Sequence, residues 1–138
     1  IPQEGEDIIE VCRTSPVKLI HTPKGETVID FGQEVTGYVE FTVTGKAGQT
    51  VYIDHAEILD KDGNFYNANY RTARSEIDYT AKEGEQTYKA KYTFFGFRYL
   101  RLTDWTEEVK AENFRAIVMH SDIKRTGYCN QAFCRTLP

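Results

Sequence analysis

Apolar and polar positions alternate along most of the chain with a period of two. Val39, Phe41 and Val43 fall on one side of an extended segment, and Glu40, Thr42 and Thr44 on the other. That spacing predicts a half-buried β-strand. Similar segments recur: VKLI from residue 17, TVIDFG from 27, QTVYIDHAEIL from 49, EIDYTA from 76, KYTFFGFRYLRLTDW from 91 and NFRAIVMHS from 113. Pro-Lys-Gly, Gly-Lys-Ala-Gly and Asp-Lys-Asp-Gly clusters punctuate them. No stretch of 12 residues carries a 3.6-residue stripe, so helix is expected only as a turn or two. Short strands with turns every 8–12 residues predict an all-β fold, an antiparallel β-sandwich of jelly-roll type.

Three further expectations follow from the pattern. The glycine-rich link at residues 45–48 predicts a hairpin between the strands on either side of it. The polar run at residues 64–75 predicts a long connection. In residues 94–102, Phe95, Phe97 and Tyr99 fall on one face, and Phe94, Arg98, Leu100 and Leu102 on the other. A strand apolar on both faces is covered on both sides, either by a loop of its own chain or by a neighbouring domain. Residues 1–15 show no clean period and are expected as a linker or edge segment from a preceding domain, ahead of the sandwich at 16–128. Residues 129–138 are expected as an exit segment.

Composition agrees with a globular domain: 138 residues, 40% hydrophobic, 28% charged and 13% aromatic. The net charge of −4, from 17 basic and 21 acidic residues, does not provide the basic footprint that nucleic acid requires. No apolar run approaches membrane-spanning length, and no secretory leader is visible, so the compartment stays open. Cys12, Cys129 and Cys134 are an odd number without a CxxC pair. They read as free thiols, with one bridge, Cys129–Cys134 or Cys12–Cys129, as the alternative.

Candidate chemistry is sparse. The acids Asp54, Glu57, Asp60, Asp62, Glu76 and Asp78 are numerous, but no context singles out the acid and base that a glycosidase needs. Asp60, Asp62 and Asn64 offer oxygen ligands for calcium, yet a further ligand before the glycine and a later Glu are missing. An Asp-Gly turn is the preferred reading. His21, His55 and His120 are far apart and read as structural rather than zinc-binding. Trp105, Tyr66 and Asn69 are candidates for contact with a sugar, since an aromatic face suits the C–H side of a pyranose and an amide suits its hydroxyls. The competing reading is that the aromatics pin a loop.

The motifs DFGQ, HAEILDKDG, NYRTA, DYT, GFRY and HSD, in this order, resemble the concanavalin-like domain of bacterial α-L-rhamnosidases, glycoside hydrolase family 78. The resemblance covers about residues 16–128, and Phe95 stands where that family often has His. It implies a parent that hydrolyses terminal α-L-rhamnose with inversion on an (α/α)6 barrel lying beyond this domain. The expected partners are that barrel, the other β domains of the same polypeptide and rhamnose-containing carbohydrate, with no cofactor. No catalytic residue carries over. His55, Glu57, Asn69, Arg71, Asp78 and Arg98 match polar motif positions and are expected to form a structural hydrogen-bonded network, with Arg71 and Arg98 each paired to a carboxylate such as Glu57 or Asp78.

Overall fold

A computed structural model describes residues 5–124, 126 and 127. Ten strands are present among the described residues: β1 (Ile8–Thr14), β2 (Lys18–His21), β3 (Thr27–Gly45), β4 (Thr50–Ala56), β5 (Ile58–Leu59), β6 (Phe65–Tyr66), β7 (Glu76–Thr80), β8 (Gly84–Lys89), β9 (Phe95–Thr103) and β10 (Phe114–Ser121). Two single 3-10 turns, Ala68–Tyr70 and Ala111–Asn113, complete them. The fold is all-β, and every strand pair is antiparallel.

β3 organises the molecule. Its 19 residues pair with β2 and β9 through the first half and with β10 and β8 through the second. Gly32 sits at φ +81 between the halves, a left-handed conformation that a Cβ disfavours. The register with β9 jumps between Asp30 and Val35 at the same place. The sheet, in the order β1-β10-β3-β9-β4-β7, therefore curls over on itself and forms both layers of the sandwich. Phe41 of β3 meets Tyr79 of β7, three places away in that order, edge-on at 5.4 Å. The interior holds Ile29, Phe31, Phe41, Ile53, Phe97, Leu100, Phe114 and Ile117, all at most 1% exposed.

Gly37 marks the closest backbone approach, between β3 and β10. A Cβ there would stand 1.8 Å from the Ile117 carbonyl oxygen, a separation no side chain tolerates.

The expected hairpin across residues 45–48 does not form. β4 pairs with β9 and β7, and the end of β3 is flanked by β10 and β8. The glycine-rich link crosses between layers and bonds instead to the β7–β8 connection, through Gly48 N–H to Ala81 O and Ala81 N–H to Gln49 O. Local pattern finds the turn, but hydrogen bonding to a segment over 30 residues away selects the partner. Residues 8–14 form the edge strand β1 on β10. Residues 64–75 are more ordered than expected, since their start builds the small β5–β6 hairpin.

The faces of β9 also differ from simple alternation. Between the pairs Phe97–Val35 and Tyr99–Asp30, the four β3 residues 31–34 stand opposite the single residue Arg98, so the irregularity lies on β3 and the alternation breaks beside it. Phe97, Leu100 and Leu102 all join the main core, and Tyr99 turns outward to a second cluster with Val28, Ala56 and Phe65. That outer cluster is capped by the chain's own β5–β6 hairpin, where Phe65 is 6% exposed.

Candidate functional site

Outside the apolar interior, the most developed side-chain chemistry lies on the outer face of the β2-β3-β9-β4 layer. Arg98 donates from Nε to Asp30 Oδ1 at 2.8 Å and from an Nη to Oδ2 at 3.0 Å, a two-point fork. Asp30 also accepts the Gly32 N–H at 2.7 Å, which secures the β3 bend. Burial pushes the Asp30 carboxyl up, but the Arg98 hydrogen bonds, the Gly32 amide and the Arg98 charge outweigh it and hold it below the ordinary value. One turn of the pleat away, Arg101 bonds Asp54 at 2.9 and 3.1 Å and Glu26 at 3.2 Å. Its guanidinium lies 4.6 Å over the Phe65 ring. Glu26 accepts the Phe65 N–H and the Thr22 hydroxyl. Burial raises its pKa, and these bonds together with Arg101 bring it down below the carboxylate norm. The network thus clamps the β5–β6 hairpin over the outer cluster.

The hairpin turn is closed by its own residues. Asp60 Oδ1 accepts the backbone N–H groups of Asp62 and Asn64 at 2.9 and 2.8 Å and the Asn64 side-chain amide. Asn64 in turn accepts from Lys24 N–H at 3.1 Å.

His55 belongs to the opposite, inner face of β4. It is 0% exposed, stacked on Phe95 with centroids 4.1 Å apart and edge-on to Phe97 at 5.0 Å. Nδ1 lies 2.9 Å from the Ser75 carbonyl oxygen and must donate to it. Nε2 is buried without a partner among the described residues. Burial lowers the pKa to about 4, against a smaller opposing effect of the Ser75 bond, so the ring is neutral at pH 7. Phe95 supplies the flat face on which it rests.

Beside the start of β9, the Tyr70 hydroxyl donates to Gly96 O at 3.0 Å and Asn69 donates to Glu57 at 3.2 Å. Burial first, and then the charges of Glu57 and Glu34, push the Tyr70 hydroxyl up to about 12. Arg71 follows with φ 57 at the end of the 3-10 turn and is exposed. Asp78 is exposed and pairs with Arg74 at 3.5 Å.

The expected polar residues are therefore dispersed. Arg98 pairs with Asp30, not with Glu57 or Asp78, and Arg71 makes no carboxylate contact among the described residues. The register shift between β3 and β9 is the reason, because Arg98 stands at it, next to the Tyr99–Asp30 pair. Only Glu57 and Asn69 of the six are bonded to each other. The sugar candidates are also separated. Asn69 lies beside Gly96 and Trp105 lies past the far end of β9, on the order of 30 Å of extended chain away. Trp105 packs on Phe114 and Phe41, at 5.1 and 5.9 Å between centroids, and its indole N–H is buried without a partner among the described residues. It borders a cleft of about 430 Å³ with His21, Asp104, Glu107 and Glu108. Tyr66, 37% exposed, stands on the hairpin. His21 and His120 are both exposed, and Cys12 is an exposed thiol on β1; Cys129 and Cys134 lie outside the described residues. Asp30, Glu26 and Arg101 went unremarked in the sequence, although an Asp inside the apolar run Val28–Phe31 signals a buried, paired charge.

Comparison with known proteins places this architecture. The model of the bacterial α-L-rhamnosidase concanavalin-like domain matches residues 20–120. The α-L-rhamnosidase of Streptomyces avermitilis is 38% identical over 115 residues, which are 82% of this chain and 11% of that protein. That of an Alteromonas species is 34% identical over 126 residues, 88% of this chain and 14% of its own length. Among solved structures, the Streptomyces avermitilis enzyme complexed with L-rhamnose superposes with a TM-score of 0.81 at 35% identity, over 88% of this chain and 12% of that one. The native Aspergillus terreus α-L-rhamnosidase gives 0.82 at 31%, over 89% and 14%. The chain spans only about a seventh or less of the length of each of these relatives. The curled antiparallel sheet and the motifs along it belong to one family, and this chain is a member of the bacterial α-L-rhamnosidase concanavalin-like domain family.

Proposed function

We propose that this chain is a non-catalytic accessory domain of an α-L-rhamnosidase, supporting an (α/α)6 catalytic barrel elsewhere in the same polypeptide. The parent activity is release of terminal α-L-rhamnose from plant glycosides or polysaccharides. One observation carries the non-catalytic part. A glycosidase needs a carboxyl that stays protonated near neutral pH, facing a second, ionised one. Every carboxylate with a displaced pKa among the described residues, Glu10, Glu26, Asp30 and Asp60, is displaced downward. The least exposed of these, Glu26 and Asp30, are held by arginines. These acids serve as structural anions.

The direct test is incubation of the 138-residue chain with an aryl α-L-rhamnoside. The expected result is no turnover above buffer. Turnover abolished by substituting one of its own carboxylates overturns the proposal.

A second reading, a carbohydrate-binding module, draws on the cleft beside Trp105, where His21, Asp104, Glu107 and Glu108 could meet hydroxyls. Tyr66 and Asn69 stand too far off to share that site. Saturable quenching of Trp105 fluorescence by L-rhamnose would favour it, and flat fluorescence would leave the supporting role.

A further inference from the structure

The outer face of β9 is covered by the chain's own hairpin, but a different apolar surface is left open. Ile8 of β1 and Phe94 before β9 are 60% and 56% exposed, and Tyr92 is fully exposed. With Met119 of β10 they line a groove of about 580 Å³ whose polar rim includes Lys89 and Lys91. Lys89 is engaged by Glu10 at 3.0 Å, whereas no salt bridge to Lys91 occurs among the described residues. Tyr92 holds its ring in water from φ 60, a backbone state that is uphill for a non-glycine residue and unrepaid by any contact there. Aromatic and methionine side chains gathered this way are enriched at the cores of protein interfaces.

The location indicates the occupant. Asp122 N–H bonds Asp7 O at 2.8 Å, and Ile8 pairs with Ser121. The two points where the described chain joins and leaves the sheet are therefore side by side, at the border of the groove. In the relatives a domain like this one makes up 11–14% of a longer chain, so the remainder is attached through one or both of these points. Covalent attachment beside the groove holds the attached domain at high effective concentration over the patch.

We propose that the patch of Ile8, Tyr92, Phe94 and Met119 is the seat of the adjoining domain of the same polypeptide, which meets it with an apolar surface and offers a carboxylate to Lys91. This rests on the accessory-domain reading and names its contact surface. Such contacts inside a chain commonly bury about 600–1,500 Å², enough to cover these four side chains.

The test is amide hydrogen exchange on the complete polypeptide carrying this chain, with rhamnoside hydrolysis measured on the same samples. Residues 91–93 lie in an irregular turn outside every strand ladder, so their amides exchange at the open rate unless something covers them. The expected result is slowing by at least about tenfold, lost in Tyr92→Ser/Phe94→Ser and retained in Ile58→Ser on the hairpin. Open-rate exchange in a polypeptide that hydrolyses rhamnosides overturns the docking proposal alone. Protection without rhamnosidase activity leaves the seat standing and overturns the functional reading. Protection that disappears on dilution assigns the patch to a second copy and overturns the proposal.

Discussion

His55 makes stability depend on pH in a window that the carboxylates do not share. In the folded chain its pKa is about 4, because burial against Phe95 and Phe97 disfavours the imidazolium. In the unfolded chain it returns to about 6.5. The unfolded state therefore binds the proton first. The His55 contribution is complete above pH 6.5, declines as pH falls toward 4, and changes no further below that. At about 1.4 kcal/mol per pH unit, the full window amounts to about 3 kcal/mol. The perturbation is His55→Asn, which keeps an amide able to donate to Ser75 O but has no proton to gain. The variant is less stable at pH 7, since it loses the stacked ring, so the informative quantity is the change of stability with pH. Urea unfolding followed by tryptophan fluorescence between pH 7.5 and 4 gives it. Wild type is expected to lose about 3 kcal/mol more than the variant across the window. Parallel profiles would refute the buried neutral histidine. A wild type that gains stability as pH falls would mean that the ring has an anionic partner.

Three further outcomes are expected. Arg98→Ala leaves Asp30, 7% exposed, without its fork; because the arginine is itself partly exposed, a loss of about 2 kcal/mol is expected, and an unchanged urea midpoint would place the pair outside the stability of the fold. Gly37→Ala drives a methyl into the Ile117 carbonyl and should cost at least about 3 kcal/mol or prevent folding; a wild-type melting temperature would contradict the β3–β10 approach. Phe65→Ala empties the outer cluster under Arg101 and should cost about 3 kcal/mol while raising proteolytic cleavage within residues 58–66; an unaltered cleavage pattern would show that the hairpin does not depend on that ring.

The strands were legible because alternation is a local property. Val39, Phe41 and Val43 face the interior as their spacing predicts, and the family motifs lie along these same strands. What local pattern could not carry was pairing at long range. β3 looks like half of a hairpin with β4, yet the partners of its end, residues 38–45, come from residues 84–89 and 114–117. The register shift opposite Arg98 was hidden for a related reason. The extra residues lie on β3, between Asp30 and Val35, and the apparent two-sided strand 94–102 is largely one face read across that slip. The candidate residues fared according to their neighbours. His55 is enclosed by Phe95 and Phe97 of β9 and bonded to Ser75 O, partners that its own segment does not display. Trp105 follows a strand as a binding residue would, but its ring rests on Phe41 and Phe114. Asp30 was the missed signal, a carboxylate between Ile29 and Phe31 that has to be paired.

The accessory role is tested most directly by measuring kcat/KM and the rate of heat inactivation together, in the complete polypeptide carrying this chain with and without Arg98→Ala. A supporting domain predicts faster inactivation and a kcat/KM for rhamnosides within about twofold of wild type, because the substitution removes stability and no transition-state contact. A kcat/KM at least about tenfold lower at unchanged heat stability would place this domain at the substrate and contradict the account.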